Sequence, residues 1–236
     1  MSRLWDWVAD KVTGMPAADR AVWNAVTTLA EQGEVTAQWL EGTVTTQPEY
    51  RAPCDVDEQD VPGMAATLAA ANRAGFVTTQ SQAGYDGDGY DGAHWSQHAA
   101  VVGFADNEAT HWLRDSLTDT GVVVADRQNR HLWQEPVLPV TFRDGVPVTD
   151  FGVREPTDTV TADARQLVIY DPESGRNDRL WPALQAAADQ RLNATDHANT
   201  ADTHTQDNPS GHPDTPPTPA PIAAPDTHND DDTDGM

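Results

Sequence analysis

A sharp change in composition near residue 193 limits what this chain can fold into. From Asn193 to Met236 there is no aromatic residue, no lysine and no arginine, and Ile222 is the only large aliphatic residue. Such a segment cannot bury enough apolar surface to offset the entropy lost on ordering it. We therefore predict one globular domain over residues 1–192, which hold all eight tryptophans, and a disordered acidic tail over 193–236.

The charge of the chain argues against nucleic acid and membrane surfaces as partners. The formal net charge is −24, and setting aside the nine aspartates of the tail leaves −15 for residues 1–192. Nucleic acids and anionic membranes bind proteins mainly through Lys and Arg, and Lys11 is the only lysine. The N-terminus lacks the apolar run of a signal peptide, and no apolar stretch approaches 18 residues. We therefore expect a cytoplasmic protein.

The N-terminal third of the sequence is typical of helices. Apolar residues at three-to-four spacing predict an amphipathic helix from Ala17 to Gln32, ended by Gly33. A short second helix is predicted near Thr36–Glu41. A third helix is expected to start at Asp60 as its cap and to stop at Gly75.

Strands are predicted to dominate the remainder of the domain. The expected strands lie at 76–79, 122–124 and 167–170, and strands at 140–142 and 146–148 flank the hairpin turn Arg143-Asp144-Gly145. The glycines and aspartates of 84–92 favour a loop. Two more helices are predicted, from the Asp106 cap to Leu117 and from Asp178 to Leu192. Helices first and strands later, without regular alternation, indicate an α+β fold with a mixed or antiparallel sheet.

Neither a metal centre nor a nucleophilic site is predicted from the motifs. His94 and His98 have a spacing that can chelate a cation, but a third ligand is not fixed by the sequence. The acidic loop 86–91 lacks the carboxylate that a calcium loop needs at its twelfth position, which is Gln97 here. Signatures of hydrolases, phosphate loops and dinucleotide turns are missing. Cys54 is the only cysteine, and its acidic neighbours disfavour a thiolate. We therefore predict no metal and no cofactor.

The segment from Asn72 to Gln82 resembles part of a known regulatory domain. Its sequence, Asn-Arg-Ala-Gly-Phe-Val-Thr-Thr-Gln-Ser-Gln, is similar to Asn-x-x-Gly-apolar-Leu-Thr-Ile-Asn-Ser-Gln in the C-terminal domain of eukaryotic methylenetetrahydrofolate reductases. Gln80 stands where that family has Asn. Weaker similarity continues through 97–104, 167–171 and 180–181. The chain as a whole also resembles an uncharacterised actinobacterial family of the DUF6919 type, which implies no function.

The resemblance implies a non-catalytic module that binds a ligand. In the reductases this domain binds S-adenosylmethionine as an inhibitor, and no counterpart of their flavin-binding barrel is seen here. The match implies that the ligand would lie along a wall formed by Asn72, Thr78, Thr79, Gln80 and Ser81. Two alternatives remain open: an interaction factor whose acidic tail engages a basic protein, and an enzyme that uses His94, His98 and loop carboxylates with a metal.

The first prediction concerns the tail. Truncation after Leu192 should leave the thermal midpoint of unfolding within a few degrees of the full chain, because the removed residues offer almost no apolar surface for burial. The measurement is thermal unfolding of both chains followed by circular dichroism. A large loss of stability in the truncated chain would contradict the predicted boundary.

Overall fold

The computed structural model describes residues 14–56, 61–126, 138–151 and 159–206. Helices and strands alternate irregularly along these residues, with the helices at the two ends and in the middle. The helices are α1 Ala17–Asn24, α2 Leu29–Leu40, α3 Met64–Arg73, α4 Asn107–Leu117 and α5 Leu180–Gln206. The strands are β1 Val77–Gln82, β2 Tyr85–Asp88, β3 His94–Gln97, β4 Ala100–Ala105, β5 Val123–Asp126, β6 Leu138–Arg143, β7 Val146–Phe151 and β8 Arg165–Tyr170.

The strands form two four-stranded sheets in which every neighbouring pair is antiparallel. The first sheet has the order β1-β4-β8-β5, and the second has the order β2-β3-β6-β7. Strand β1 is therefore an edge of the first sheet, and β7 is an edge of the second. This arrangement confirms the predicted α+β class.

One long hairpin joins the two sheets. Its arms pair as β1 with β4 in the first sheet, up to Gln82 opposite Ala100, and as β2 with β3 in the second sheet, from Tyr85 opposite Gln97. The hairpin bends at Gly84, where the side-chain amide of Asn177 binds the backbone. The amide accepts from the Gly84 N–H at 2.7 Å and donates to the Gly84 carbonyl at 3.0 Å. A Cβ atom at residue 84 would meet the backbone of Arg176, so this contact needs a glycine.

The central strands of the first sheet are buried on both faces. One face packs against the helices in a core that includes Val101, Leu167 and Ile169. The other face contributes to a smaller cluster with Val140 and Phe151 of the second sheet, whose further members are Ala100, Val102 and Val168. Strand β4 is buried along its whole length, as expected for a strand covered on both sides.

The predicted helix from Ala17 to Gln32 is wrong in its extent. The chain breaks after α1, and Thr28 starts a new helix: its hydroxyl accepts from the Glu31 N–H, and the Glu31 carboxylate accepts from the Thr28 N–H. This reciprocal capping stabilises a helix start in the middle of an amphipathic pattern. Gly33 lies inside α2 instead of ending it. A side chain there would collide with the backbone carbonyl of Asn72 in α3, so the packing of the two helices requires a glycine.

The predicted C-terminus of α3 and the predicted N-terminus of α4 agree with the structure. Gly75 follows α3 with a φ of +98°. The N–H groups of Gly75 and Phe76 donate to the carbonyls of Asn72 and Ala71, the pattern of a Schellman cap. At the start of α4, the Asp106 carboxylate accepts from the Ala109 N–H at 2.7 Å, which is the predicted N-cap. Asp60, the predicted cap of α3, lies outside the described residues.

The predicted loop over 84–92 is wrong in part, because residues 85–88 form strand β2. Pairing with β3 overrides the poor strand propensity of glycine and aspartate. The aromatic rings of the hairpin lie against its glycines. A Cβ atom at Gly89 would sit 2.6 Å from the Trp95 indole, and one at Gly87 would sit 3.0 Å from the Tyr85 hydroxyl. Glycine at these positions therefore makes room for the rings.

The last described helix is longer than predicted. Helix α5 continues beyond Leu192 to Gln206, because its first glycine or proline after Pro182 comes only at Pro209 and alanine favours continuation. The domain boundary at 192 stays a prediction. None of the helices in the described ranges is long and apolar enough to cross a membrane.

The second prediction concerns the hairpin turn between β6 and β7. Asp144 and Gly145 have φ values of 51° and 77°, which is the left-handed pair of a type I′ turn. Gly145→Val should lower the free energy of unfolding by about 1 kcal/mol or more, because a β-branched residue is strained there. Gly145→Asn should cost less, since asparagine tolerates this conformation. The measurement is urea unfolding, and equal effects of the two variants would contradict the turn.

Candidate functional site

Asn72 and Thr78 are joined by hydrogen bonds. Asn72 is only 1% exposed. Its amide nitrogen donates to the Leu68 carbonyl at 2.8 Å and to the Thr78 hydroxyl at 2.7 Å, and its amide oxygen accepts from the Thr78 N–H at 3.0 Å. The side chain thereby ties the last turn of α3 to the start of β1. These two residues position the strand.

A β-bulge at Thr79 distributes the next side chains over both faces of the sheet. The pairing register shifts between Thr78 and Gln80. Gln80 lies opposite Val102, which belongs to the cluster shared with the second sheet, whereas Ser81 lies opposite Val101, which belongs to the helix-side core. Directly opposite residues share a face, so Gln80 and Ser81 point to opposite sides of the edge strand.

The side chains after the bulge are half-buried and polar. Thr79 donates to the Val102 carbonyl at 3.4 Å, a long hydrogen bond. Among the described residues, the side chains of Gln80 and Ser81 make no hydrogen bond to another residue. Amide and hydroxyl groups that are partly removed from water without an internal partner are available to a ligand. The structure thus separates the predicted wall into an internal pair, Asn72 and Thr78, and a half-buried group, Thr79 to Ser81, whose side chains lie on both faces of the strand.

An aromatic stack lies beside this edge. Tyr50 lies parallel to Trp39 of α2, with ring centroids 5.9 Å apart and an interplanar angle of 7°. The Tyr50 hydroxyl donates to the Thr79 carbonyl at 2.7 Å. Burial, with a contribution from the Asp55 charge, raises the pKa of the Tyr50 phenol. Tyr50 is 47% exposed, whereas Trp39 is 8% exposed.

Local hydrogen bonds hold the loop that carries Tyr50. The Gln47 side-chain oxygen accepts from the N–H groups of Glu49 and Tyr50 at 2.7 and 2.8 Å. The Gln47 carbonyl accepts from the Arg51 N–H at 2.7 Å, and Arg51 has a left-handed φ of 52°. The Trp39 indole N–H donates to the Ala52 carbonyl at 3.0 Å. The turn that carries Tyr50 is therefore held in place by several hydrogen bonds.

The start of the same loop is anchored on helix α1 by Asp19. Its carboxylate accepts from the N–H and hydroxyl groups of both Thr45 and Thr46, at 2.7 to 3.0 Å. Burial alone would raise the pKa of the Asp19 carboxyl, but these hydrogen bonds outweigh that effect and hold the pKa below its ordinary value. The anchor therefore stays ionised at neutral pH.

Tyr50, Gln47 and Asp19 were not identified from the sequence. The span 42–60 shows neither helical nor strand periodicity, and the Gln47 and Asp19 contacts depend on tertiary structure. A tyrosine in an irregular segment gives no local signal of what it stacks on.

The two histidines of the metal hypothesis have different surroundings. His94 lies between two carboxylates of the hairpin, with Nε2 3.1 Å from Asp86 Oδ1 and Nδ1 3.6 Å from Asp88 Oδ1, and is half exposed. His98 packs edge-on against the rings of Phe142 and Tyr170. Within the ranges that the structure describes, no group of three or more His, Cys, Asp or Glu residues is arranged to hold a metal ion.

Comparison with known proteins identifies the family of the chain. The model of a family described as a domain of unknown function, DUF6919, matches residues 18–191. Because this match covers most of the chain, the protein belongs to that family. No curated protein matches the sequence.

The third prediction concerns the internal pair. Thr78→Val should lower the free energy of unfolding by about 1–3 kcal/mol, because the buried Asn72 amide loses an acceptor. Thr78→Ser should restore most of this stability. Thr79→Val is the matched control next in sequence and should have a small effect, since the Thr79 hydroxyl makes only a long hydrogen bond. Urea unfolding of the three variants measures this, and equal losses for Thr78→Val and Thr79→Val would contradict the pair.

Proposed function

We propose that this DUF6919 protein is a non-catalytic module that binds a small, nucleoside-containing ligand of the S-adenosylmethionine type. The ligand binds over the free edge of β1, where Thr79, Gln80 and Ser81 supply hydroxyl and amide groups. Asn72 and Thr78 belong to the same site as positioning residues, because they fix the strand without facing the ligand.

The observation that carries the proposal is the half-buried polar run after the bulge. Thr79, Gln80 and Ser81 lie in the edge strand β1, whose outer side pairs with no other strand among the described residues. Within the described ranges, Gln80 and Ser81 have no side-chain partner. Specific ligand sites commonly use a few such polar groups held on a rigid element. Here the rigidity comes from the Asn72 amide at one end of the strand and from pairing with β4 along it.

The likeness of residues 72–82 to the regulatory domain of methylenetetrahydrofolate reductases supports the ligand class. The residues shared with that segment are Asn72, Gly75, Thr78, Ser81 and Gln82, and they span the helix end, the cap and the strand described above. We propose an actinobacterial source and a common ancestry with that domain. Fold does not fix function, so the ligand has to be measured.

The fourth prediction tests the ligand directly. S-adenosylmethionine or S-adenosylhomocysteine should raise the thermal midpoint of the full chain, because a ligand at about 100 times its dissociation constant stabilises the folded state by roughly 2.7 kcal/mol. Ser81→Ala and Gln80→Ala should each weaken binding by about 0.5–1.5 kcal/mol through a lost hydrogen bond. Calorimetric titration measures both effects.

The control variant is Thr149→Ala, which removes an exposed hydroxyl from edge strand β7 of the other sheet. It should bind both ligands like the unmodified chain. The absence of both heat and a midpoint shift at millimolar ligand would overturn the proposal. Binding that is insensitive to Ser81→Ala and Gln80→Ala would place the ligand elsewhere on the protein.

A further inference from the structure

We propose that Tyr50 is a further ligand-contacting residue of this site and binds a planar heteroaromatic ring, such as a nucleobase, by stacking on its exposed face. The inference rests on the proposed function, because it places the ring of the ligand beside the edge of β1. It adds a residue from outside the 72–82 segment and a chemical criterion for the ligand.

The two stacked rings differ in their exposure to solvent. Trp39 is buried and belongs to the helix-side core, so it covers one face of Tyr50. About half of the Tyr50 surface nevertheless stays exposed. An aromatic ring backed by a second ring on one side leaves its other face as a flat apolar surface. Stacking on such a surface accepts any planar π system and is favourable for every nucleobase.

Hydrogen bonds hold Tyr50 in position before any ligand binds. The Tyr50 hydroxyl is held on the Thr79 carbonyl, and its backbone N–H is held by the Gln47 side chain. Arg51, the next residue, keeps a left-handed φ that non-glycine residues seldom adopt. A ring fixed in this way loses little conformational freedom when a ligand binds, and this strengthens binding.

Tyr50 also lies close to the polar groups of the strand. The hydrogen bond from Tyr50 to Thr79 puts the ring at the bulge itself. Ser81 follows two residues later, on the helix side of the sheet from which Tyr50 approaches. A base stacked on Tyr50 would leave the remainder of the ligand beside Thr79 and Ser81. One site would then combine an apolar platform with hydroxyl donors.

The fifth prediction uses calorimetric titration of the full chain with adenosine, S-adenosylhomocysteine and methionine. Tyr50→Leu should weaken the binding of adenosine and S-adenosylhomocysteine about tenfold, the range expected for the loss of one base–aromatic stack. Tyr50→Trp should keep or improve the affinity, because the stacking surface is retained. Tyr50→Phe distinguishes the contribution of the ring from that of the hydroxyl, because phenylalanine keeps the ring and loses the hydrogen bond to Thr79.

The matched control is Tyr85→Leu, because Tyr85 has the same 47% exposure but lies on the other sheet. It should not change the affinities, and the small affinity expected for methionine should not depend on residue 50. Unchanged adenosine binding in Tyr50→Leu would overturn the stacking role and leave the binding module intact. Equal losses in Tyr50→Leu and Tyr50→Trp would reveal a purely structural role and also overturn it. If none of the three compounds binds the unmodified chain, both proposals fall.

Discussion

The side-chain amide of Asn72 is the contact on which the geometry of the candidate site depends. An edge strand begins with N–H groups that need acceptors, and the Asn72 side-chain oxygen accepts from the Thr78 N–H. The Asn72 side-chain nitrogen donates to the Leu68 carbonyl, one turn earlier in α3, and to the Thr78 hydroxyl. Because the residue is buried, each of these hydrogen bonds is costly to lose. The direction in which β1 leaves the helix is thereby fixed.

The placement of the next residues follows from that constraint. With Thr78 held against α3, the bulge at Thr79 turns the strand and lets both Thr78 and Ser81 lie on the helix side, although they are three residues apart. A regular strand alternates its faces at every residue, so an odd separation would place them on opposite sides. The bulge therefore brings Thr78 and Ser81 onto one face. Bulges are common next to functional sites for this reason.

Local patterns were sufficient to predict those parts of the fold that depend on neighbouring residues. The Asp106 cap, the Gly75 stop and the Asp144-Gly145 turn each rest on backbone geometry within a few positions, and the structure confirms all three. The helix from Ala17 to Gln32 was not predicted correctly, because the capping pair Thr28 and Glu31 interrupts a continuous amphipathic pattern. Strand β2 was missed because its formation depends on β3.

The sequence predicted a candidate site over residues 72–82 but did not distinguish the contacts that its residues make. The resemblance pointed to residues 72–82, yet it treated Asn72 and Thr78 as equivalent to Gln80 and Ser81. Only the three-dimensional contacts distinguish a side chain that supports the strand from one that faces outward. The contact of Tyr50 with this strand could not be predicted from local sequence patterns, because Tyr50 lies in an irregular segment 29 residues before Thr79.

The most direct test of this division of roles is a nuclear magnetic resonance titration of the isotopically labelled chain with S-adenosylhomocysteine. The central claim predicts that the backbone amide signals of residues 79–81 and the ring signals of Tyr50 shift together as ligand is added. The side-chain amide protons of Asn72 should stay protected from exchange with solvent in the free and bound states, because they are committed to Leu68 and Thr78. Rapid exchange of these protons in the free protein, or their becoming the most strongly shifted signals on binding, would contradict the account.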